Sequence, residues 1–203
     1  MLAQALLDQP RMFNHVRGLW GYTGAAPDGE ALTIQSSGMG SPSAAIVVTE
    51  LAELGARCIV RAGTCGALDP SLDLGELLVV GEAMAADGTS AALGGGGRVP
   101  APSELLGAFS EVGGPAPRTV VSTDLFYDPD PGRPREWRAG GAAAVEMECA
   151  TLFTLAQALK LNAGAVLVVS DLLEEPRRRI GADELRVAER RMGELAFRAL
   201  ARV

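Results

Sequence analysis

Histidine, cysteine and lysine are nearly absent from this chain. One histidine, His15, and three isolated cysteines, Cys58, Cys65 and Cys149, stand among 203 residues, with no CxxC pair. That scarcity argues against a zinc site, and no metal is expected. The odd cysteine count and the lack of a signal peptide make a reducing cytoplasm the expected location. No apolar run approaches the roughly 20 residues that a membrane span requires, so no membrane partner is expected. Positive charge is in the minority. Eighteen Lys and Arg, all but Lys160 arginine, face 25 Asp and Glu, for a net charge of −7. This balance argues against general nucleic-acid or anionic-membrane binding and leaves room for a local basic pocket that takes a small anion. Aromatics are only 4%, yet apolar residues make up 48% and charged residues 21%, a globular rather than a disordered composition. At roughly 150 residues per domain the chain reads as one domain, 1–203, long enough to bury about 70% of its unfolded surface without a disulfide or metal.

The pattern alternates between the two regular structures. Both ends read as helix, residues 1–9 and 183–202; the second places Leu185, Ala188, Met192, Leu195, Ala196 and Ala199 on one face. Asp183 and Glu184 open that helix and Arg198 and Arg202 close it, matching the macrodipole. Strands are predicted at Ala31–Gln35, Cys58–Ala62, Leu77–Gly81, Arg118–Ser122, Ala142–Glu146 and Ala165–Ser170. Several lack polar alternation and read as buried on both faces. Helices are predicted from Ser41–Pro42 to about Leu54, and from Glu148 to about Leu161. The expected fold is α/β, with a central mixed, largely parallel sheet flanked by helices. Ala86–Ser103, with Gly94–Gly97, and Tyr127–Arg138 read as loops.

Ligands of open α/β sheets sit beyond the carboxyl ends of strands, and four such ends carry unusual residues. SSGMGSPSA (36–44) is a Gly-rich turn that opens a helix with free N–H groups. In CIVRAGTCGAL (58–68), Arg61 ends an apolar strand and Thr64 adds a hydroxyl; a guanidinium there needs an anionic partner, either a phosphate or a structural carboxylate. In AVEMECATL (144–152), extended geometry turns Glu146 and Glu148 one way and Met147 the other. Such a pair can bind a vicinal diol, do acid–base chemistry or hold a cation, or simply start a helix and pair with an Arg. In VLVVSDLLE (166–174), Ser170–Asp171 ends the most apolar strand, where desolvation would raise the carboxyl pKa toward that of a general acid; the alternative is a turn cap.

Together these segments resemble the nucleoside phosphorylase-I family, the hexameric purine nucleoside, uridine and methylthioadenosine phosphorylases. The similarity runs from NHVRGLWGYTG (14–24) through GMGSPSA, RAGTCGAL, STDLFY (122–127), VEMECATL and VVSD. The resemblance implies a phosphorylase-like fold and reversible phosphorolysis, nucleoside plus phosphate giving free base and (deoxy)ribose 1-phosphate. It implies that Arg61 and Thr64 bind phosphate and that Arg17 reaches a neighbouring subunit's phosphate site. It assigns Met39, Glu146, Met147 and Glu148 to substrate binding, with Glu148 accepting from the ribose hydroxyls. Phe126 would pack on the base, and Ser170–Asp171 would meet the purine, with Asp171 giving a proton toward N7. Inorganic phosphate is then a co-substrate and no cofactor is implied; the partner is a second copy, in an oligomer built from dimers and extending to a hexamer.

Uridine-type relatives lack the Asp of the Ser-Asp pair and carry a Gly-Gln-x-Arg stretch; here that region reads FYDPDPGRPRE and Asp171 is present, which favours purine. Uridine phosphorylase is the close alternative, supported by VEMECATLFTLA and Glu136–Trp137. Further alternatives are a methylthioadenosine phosphorylase or nucleosidase, and a nucleoside-binding paralogue with weakened catalysis. Relative to the family pattern, the sequence starts after an expected strand and Gly-Asp-Pro-x-Arg loop, so part of the phosphate cradle is expected to be missing.

Overall fold

The structure, a computed structural model, describes residues 2–174 and 176–203. In chain order its elements are α1 (Leu2–Leu6), β1 (Asp8–Asn14), β2 (Gly21–Ala25), β3 (Ala31–Gln35), α2 (Ser41–Glu53), β4 (Cys58–Ala67) and β5 (Leu77–Ala86). They continue with α3 (Gly88–Ala92), β6 (Arg98–Pro100), α4 (Ser103–Glu111), β7 (Arg118–Thr123), α5 (Arg133–Ala139) and β8 (Ala144–Glu146). The last are α6 (Cys149–Leu159), β9 (Asn162–Leu172), β10 (Arg178–Arg179) and α7 (Ala182–Leu200).

The run that reads as most apolar, β9, forms the centre. Ala163 through Val169 are all buried, and the strand period of two sorts them between two cores. Ala163, Ala165, Leu167 and Val169 pack with Leu152 and Phe153 of α6, while Val166 and Val168 pack with Phe109 of α4 and Met192 and Leu195 of α7. Helices therefore cover both faces, the arrangement that unbroken apolar strands require. The large sheet runs β10-β9-β4-β8-β7-β5-β6. The long β5 pairs antiparallel with β9 through Leu77–Val79 and parallel with β7 further along, so β9, β4, β8, β7 and β5 close into a ring. The sheet is mixed: β4–β9, β5–β7 and β7–β8 are parallel, while β4–β8 and β5–β6 are antiparallel.

Several expectations need correction. The first helix ends at Leu6 rather than residue 9, because Pro10 removes an N–H and restricts Gln9, which sits at φ 45°. Asp8–Asn14 is instead a strand that joins β2 and β3 in a separate antiparallel sheet. That sheet leaves β3 partly exposed. Ala86–Ser103 is not a plain loop: Asp87 caps α3 by accepting from the Ser90 N–H at 2.7 Å, and β6 pairs along the edge of β5. Tyr127–Arg138 likewise contains most of α5, with Pro134 in its first turn and Trp137 packed on the Leu68, Val121 and Ala142 cluster. Among the described residues, no helix is long and apolar enough to cross a membrane.

Candidate functional site

A cleft of about 1280 Å³ opens where β3, β4, β7, β8 and β9 end, the position at which α/β sheets hold ligands. Its chemistry collects at two poles. Arg61 on β4 lies opposite Ala165 in β9, and Gly66 lies opposite Asp171. Five residues of strand, about 16 Å at roughly 3.3 Å each, separate the two positions.

At the first pole the Arg61 guanidinium, whose side chain is 15% exposed, bonds through NH2 to the Glu148 carboxylate and lies 3.2 Å from Glu146. Burial disfavours its charge, but Glu146 foremost, then Cys149 and Glu148, outweigh burial and hold its pKa above the ordinary value. The other terminal nitrogen, NH1, is buried with no partner among the described residues. Gly63 makes room for it: a Cβ there would fall 2.2 Å from NH1. An unsatisfied buried donor costs about 1–3 kcal/mol, and more when charged, so the arrangement favours an anion that accepts from it.

The two glutamates do different jobs. Glu146 is fully enclosed. It accepts from the Ser122 hydroxyl and from the backbone N–H groups of Glu148 at 2.9 Å and Cys149 at 3.0 Å, where its charge also suits the start of α6. With Arg61 these donors fill the roughly four lone-pair sites of a carboxylate. Glu146, expected among the substrate-binding residues, is therefore a positioning residue that fixes Arg61 and the loop carrying Glu148. Glu148 accepts from the Gly40 N–H with one oxygen and from Arg61 with the other, which leaves about two lone pairs for a ligand. Gly40 reaches it from a left-handed conformation, φ 85°, that a side chain would strain.

At the second pole Asp171 is clamped. One oxygen accepts from Arg177 NH2 at 2.9 Å and Arg179 Nε at 2.7 Å, and the other from the Ser170 hydroxyl at 2.9 Å. Burial, the largest single influence, pushes its pKa up as expected from the sequence, but hydrogen bonds from Arg179, Ser170 and Arg177 together overcome it. The carboxyl is held below its ordinary value, so the expected upward shift is corrected. Phe126 stands beside this pole in edge contact with Tyr127, ring centroids 4.9 Å apart, and the Arg177 guanidinium lies 5.7 Å from its ring centre.

Thr64, Met39 and Met147 line the cleft between the poles; Met39 is 88% exposed at the rim, and the Met147 carbonyl is pinned by the Ser41 hydroxyl at 2.8 Å. Burial pushes the Cys65 thiol on the cleft wall up to about 12, so it is neutral and no nucleophile. Of the candidate residues, only Arg17 lies outside its own chain's cleft: it is exposed, at φ 56°, in the turn after β1. Sequence reasoning missed Gly63, Ser122, Arg177 and Arg179. The run Arg177–Arg179 carried a signal, three like charges a few residues after a buried carboxylate; Ser122 carried none.

The comparisons agree with this architecture. The family model described as the phosphorylase superfamily matches residues 1–202. The chain is 37% identical over 183 residues, 85% of its own length and 77% of the relative's, to the DeoD-type purine nucleoside phosphorylase of Caldanaerobacter subterraneus subsp. tengcongensis. It is 37% identical to the guanosine phosphorylase of Halorubrum lacusprofundi over 155 residues, 71% of this chain and 63% of that one. Among solved structures, the uridine phosphorylase of Vibrio fischeri ES114, complexed with 6-hydroxy-1-naphthoic acid, superposes with a TM-score of 0.86 at 26% identity, covering 100% of this chain and 86% of that one. With the ringed mixed sheet, the strand-end cleft and a match over essentially the whole length, the chain belongs to the phosphorylase superfamily.

Proposed function

We propose that the chain is a purine nucleoside phosphorylase, a pentosyltransferase that moves the sugar of a purine nucleoside from base to phosphate. The observation that carries this reading is the buried nitrogen of Arg61, without a partner among the described residues, at one pole of a cleft whose other pole holds Asp171. Arg61, with Thr64, receives phosphate; Glu148 offers its remaining lone pairs to the sugar hydroxyls, against Met39 and Met147. As the C1′–N bond loosens, phosphate oxygen attacks C1′ from the opposite face, and the bonding pair leaves with the base. That charge must be neutralised for the base to depart. Asp171 faces the base beside Phe126 and passes a proton toward N7; its arginines hold it ionised in the free protein, so that proton is taken up from solvent as the nucleoside binds, and N7 receives it as the bonding pair moves into the base.

Inorganic phosphate is the co-substrate, and the reaction asks for no organic cofactor or metal. The exposed Arg17 serves a second copy's phosphate pole, in an oligomer built from dimers. We assign the enzyme to the cytoplasm, where its three free thiols stay reduced. The purine assignment rests on the names of the similar curated proteins and on Asp171; a uridine phosphorylase is the reading that the Vibrio fischeri structure would favour. The test is base release from inosine, adenosine, methylthioadenosine and uridine, each with and without phosphate. Purine release that needs phosphate is expected. Equal release without phosphate would indicate a nucleosidase, and no release a binding paralogue.

A further inference from the structure

The base pole holds a second group beside Asp171 that the reaction above does not use. Arg177 has one hydrogen-bond partner among the described residues, Asp171, which takes one of its five N–H donors. Its side chain is 39% exposed and it lines the cleft, so its remaining donors are open to a ligand. Asp171 fixes it from one side, and the ring of Phe126, 5.7 Å from the guanidinium carbon, supports it from another. A guanidinium fixed in this way is a donor-only group whose planar fork suits acceptors lying side by side.

The two 6-substituted purine classes differ at the atom next to N7. A 6-oxopurine presents the acceptors O6 and N7 together; a 6-aminopurine presents an amino donor beside N7. Of the two arginines bonded to Asp171, Arg177 lines the cleft; with Asp171 at N7, a cleft-lining neighbour on the side of the six-membered ring meets position 6. We propose that Arg177 is a specificity residue, donating from its place beside Asp171 and Phe126 to O6 of the base, and so selecting 6-oxopurine nucleosides over 6-aminopurine ones. This rests on the purine phosphorylase reading. An amino group would face a donor-only partner and leave both groups unpaired, the type of mismatch by which hydrogen-bonding sites discriminate most strongly.

Arg177→Met separates this role from the clamping of Asp171, because Arg179 at 2.7 Å and Ser170 at 2.9 Å still hold the carboxylate. The readout is the ratio of kcat/KM for inosine to that for adenosine, at saturating phosphate, with uridine as a third substrate. For the parent the ratio should be on the order of tenfold to a hundredfold, and Arg177→Met should bring it toward unity. A parent ratio near one, or an equal loss on both purines in the variant, overturns the assignment. Uridine turned over faster than either purine removes the purine reading on which it rests. If no nucleoside is cleaved, the phosphorylase reading falls, and the dissociation constants of hypoxanthine and adenine for the unmodified protein decide the role of Arg177. Hypoxanthine bound about tenfold tighter upholds it, and equal or undetectable binding overturns it.

Discussion

Glu146→Gln changes little in volume and removes the charge on which the first pole is built. Four donors converge on that carboxylate: Arg61 at 3.2 Å, the Ser122 hydroxyl, and the N–H groups of Glu148 at 2.9 Å and Cys149 at 3.0 Å. An amide accepts with one atom and donates with the other, so at least one backbone N–H or the guanidinium would meet a donor. A hydrogen bond to a charged group contributes about 1.5–3 kcal/mol. Breaking a buried ion pair from one side costs about 3–5 kcal/mol. These overlap rather than add, and the expected loss is about 3–5 kcal/mol of folding stability. Guanidinium unfolding at one fixed protein concentration should show a lower midpoint at unchanged slope. A cycle with Arg61→Met should give a coupling of about 0.5–3 kcal/mol. A loss under about 1 kcal/mol, or strict additivity with Arg61→Met, would refute the reasoning, because Glu146 would then hold neither Arg61 nor the start of α6.

Three further substitutions test the geometry. Asp171→Asn should lower purine turnover by about 10²–10⁴-fold, the usual worth of general-acid assistance; turnover within about threefold of the parent would leave Asp171 a turn cap. The same substitution should flatten the acid limb of stability. Since the folded pKa of Asp171 lies below its unfolded value of about 3.9, its contribution is full above that pH and lost as pH falls through the folded value; an acid unfolding curve identical to the parent's would contradict the clamp. Gly63→Ala should drive the Arg61 guanidinium from its seat, because the new Cβ would lie 2.2 Å from NH1, raising KM for phosphate more than KM for nucleoside; equal changes in the two would place the effect elsewhere. Phe109→Ala should cost about 3–5 kcal/mol in chemical denaturation, since Phe109 is 1% exposed and fills the space between α4, α7 and β9; a cost below about 1 kcal/mol would mean that the core collapses around the gap.

The α/β architecture was legible wherever burial dictated composition. The strand enclosed on both faces, β9, and the buried first half of β5 show as unbroken apolar runs, and α2, α6 and α7 carry helix-start residues or one apolar face. The elements missed are those held by partners rather than by pattern. β1 is exposed along nearly its whole length and exists because β2 lies beside it. β6 is three residues on the edge of β5, and α3 depends on the Asp87 cap. The site divides in the same way. Arg61, Glu148 and Asp171 stand out as charges within or just after apolar stretches, although β4 continues past Arg61 to Ala67. The different burden of Glu146 was hidden, because its donors come from Ser122 and from backbone that only folding brings near. The low pKa of Asp171 was hidden too, because burial can be read from one strand, whereas Arg177 and Arg179 reach the carboxyl only once β10 folds back onto β9.

If the buried nitrogen of Arg61 receives the phosphate that attacks the sugar, that phosphate ends on the sugar product. The identity of the sugar product tests it most directly. After incubation with inosine and isotopically labelled phosphate, label is expected in ribose 1-phosphate, in amounts equal to the hypoxanthine released, and that product should be lost in Arg61→Met. Free, unlabelled ribose in amounts equal to the hypoxanthine would contradict it, since water rather than phosphate would then be the nucleophile.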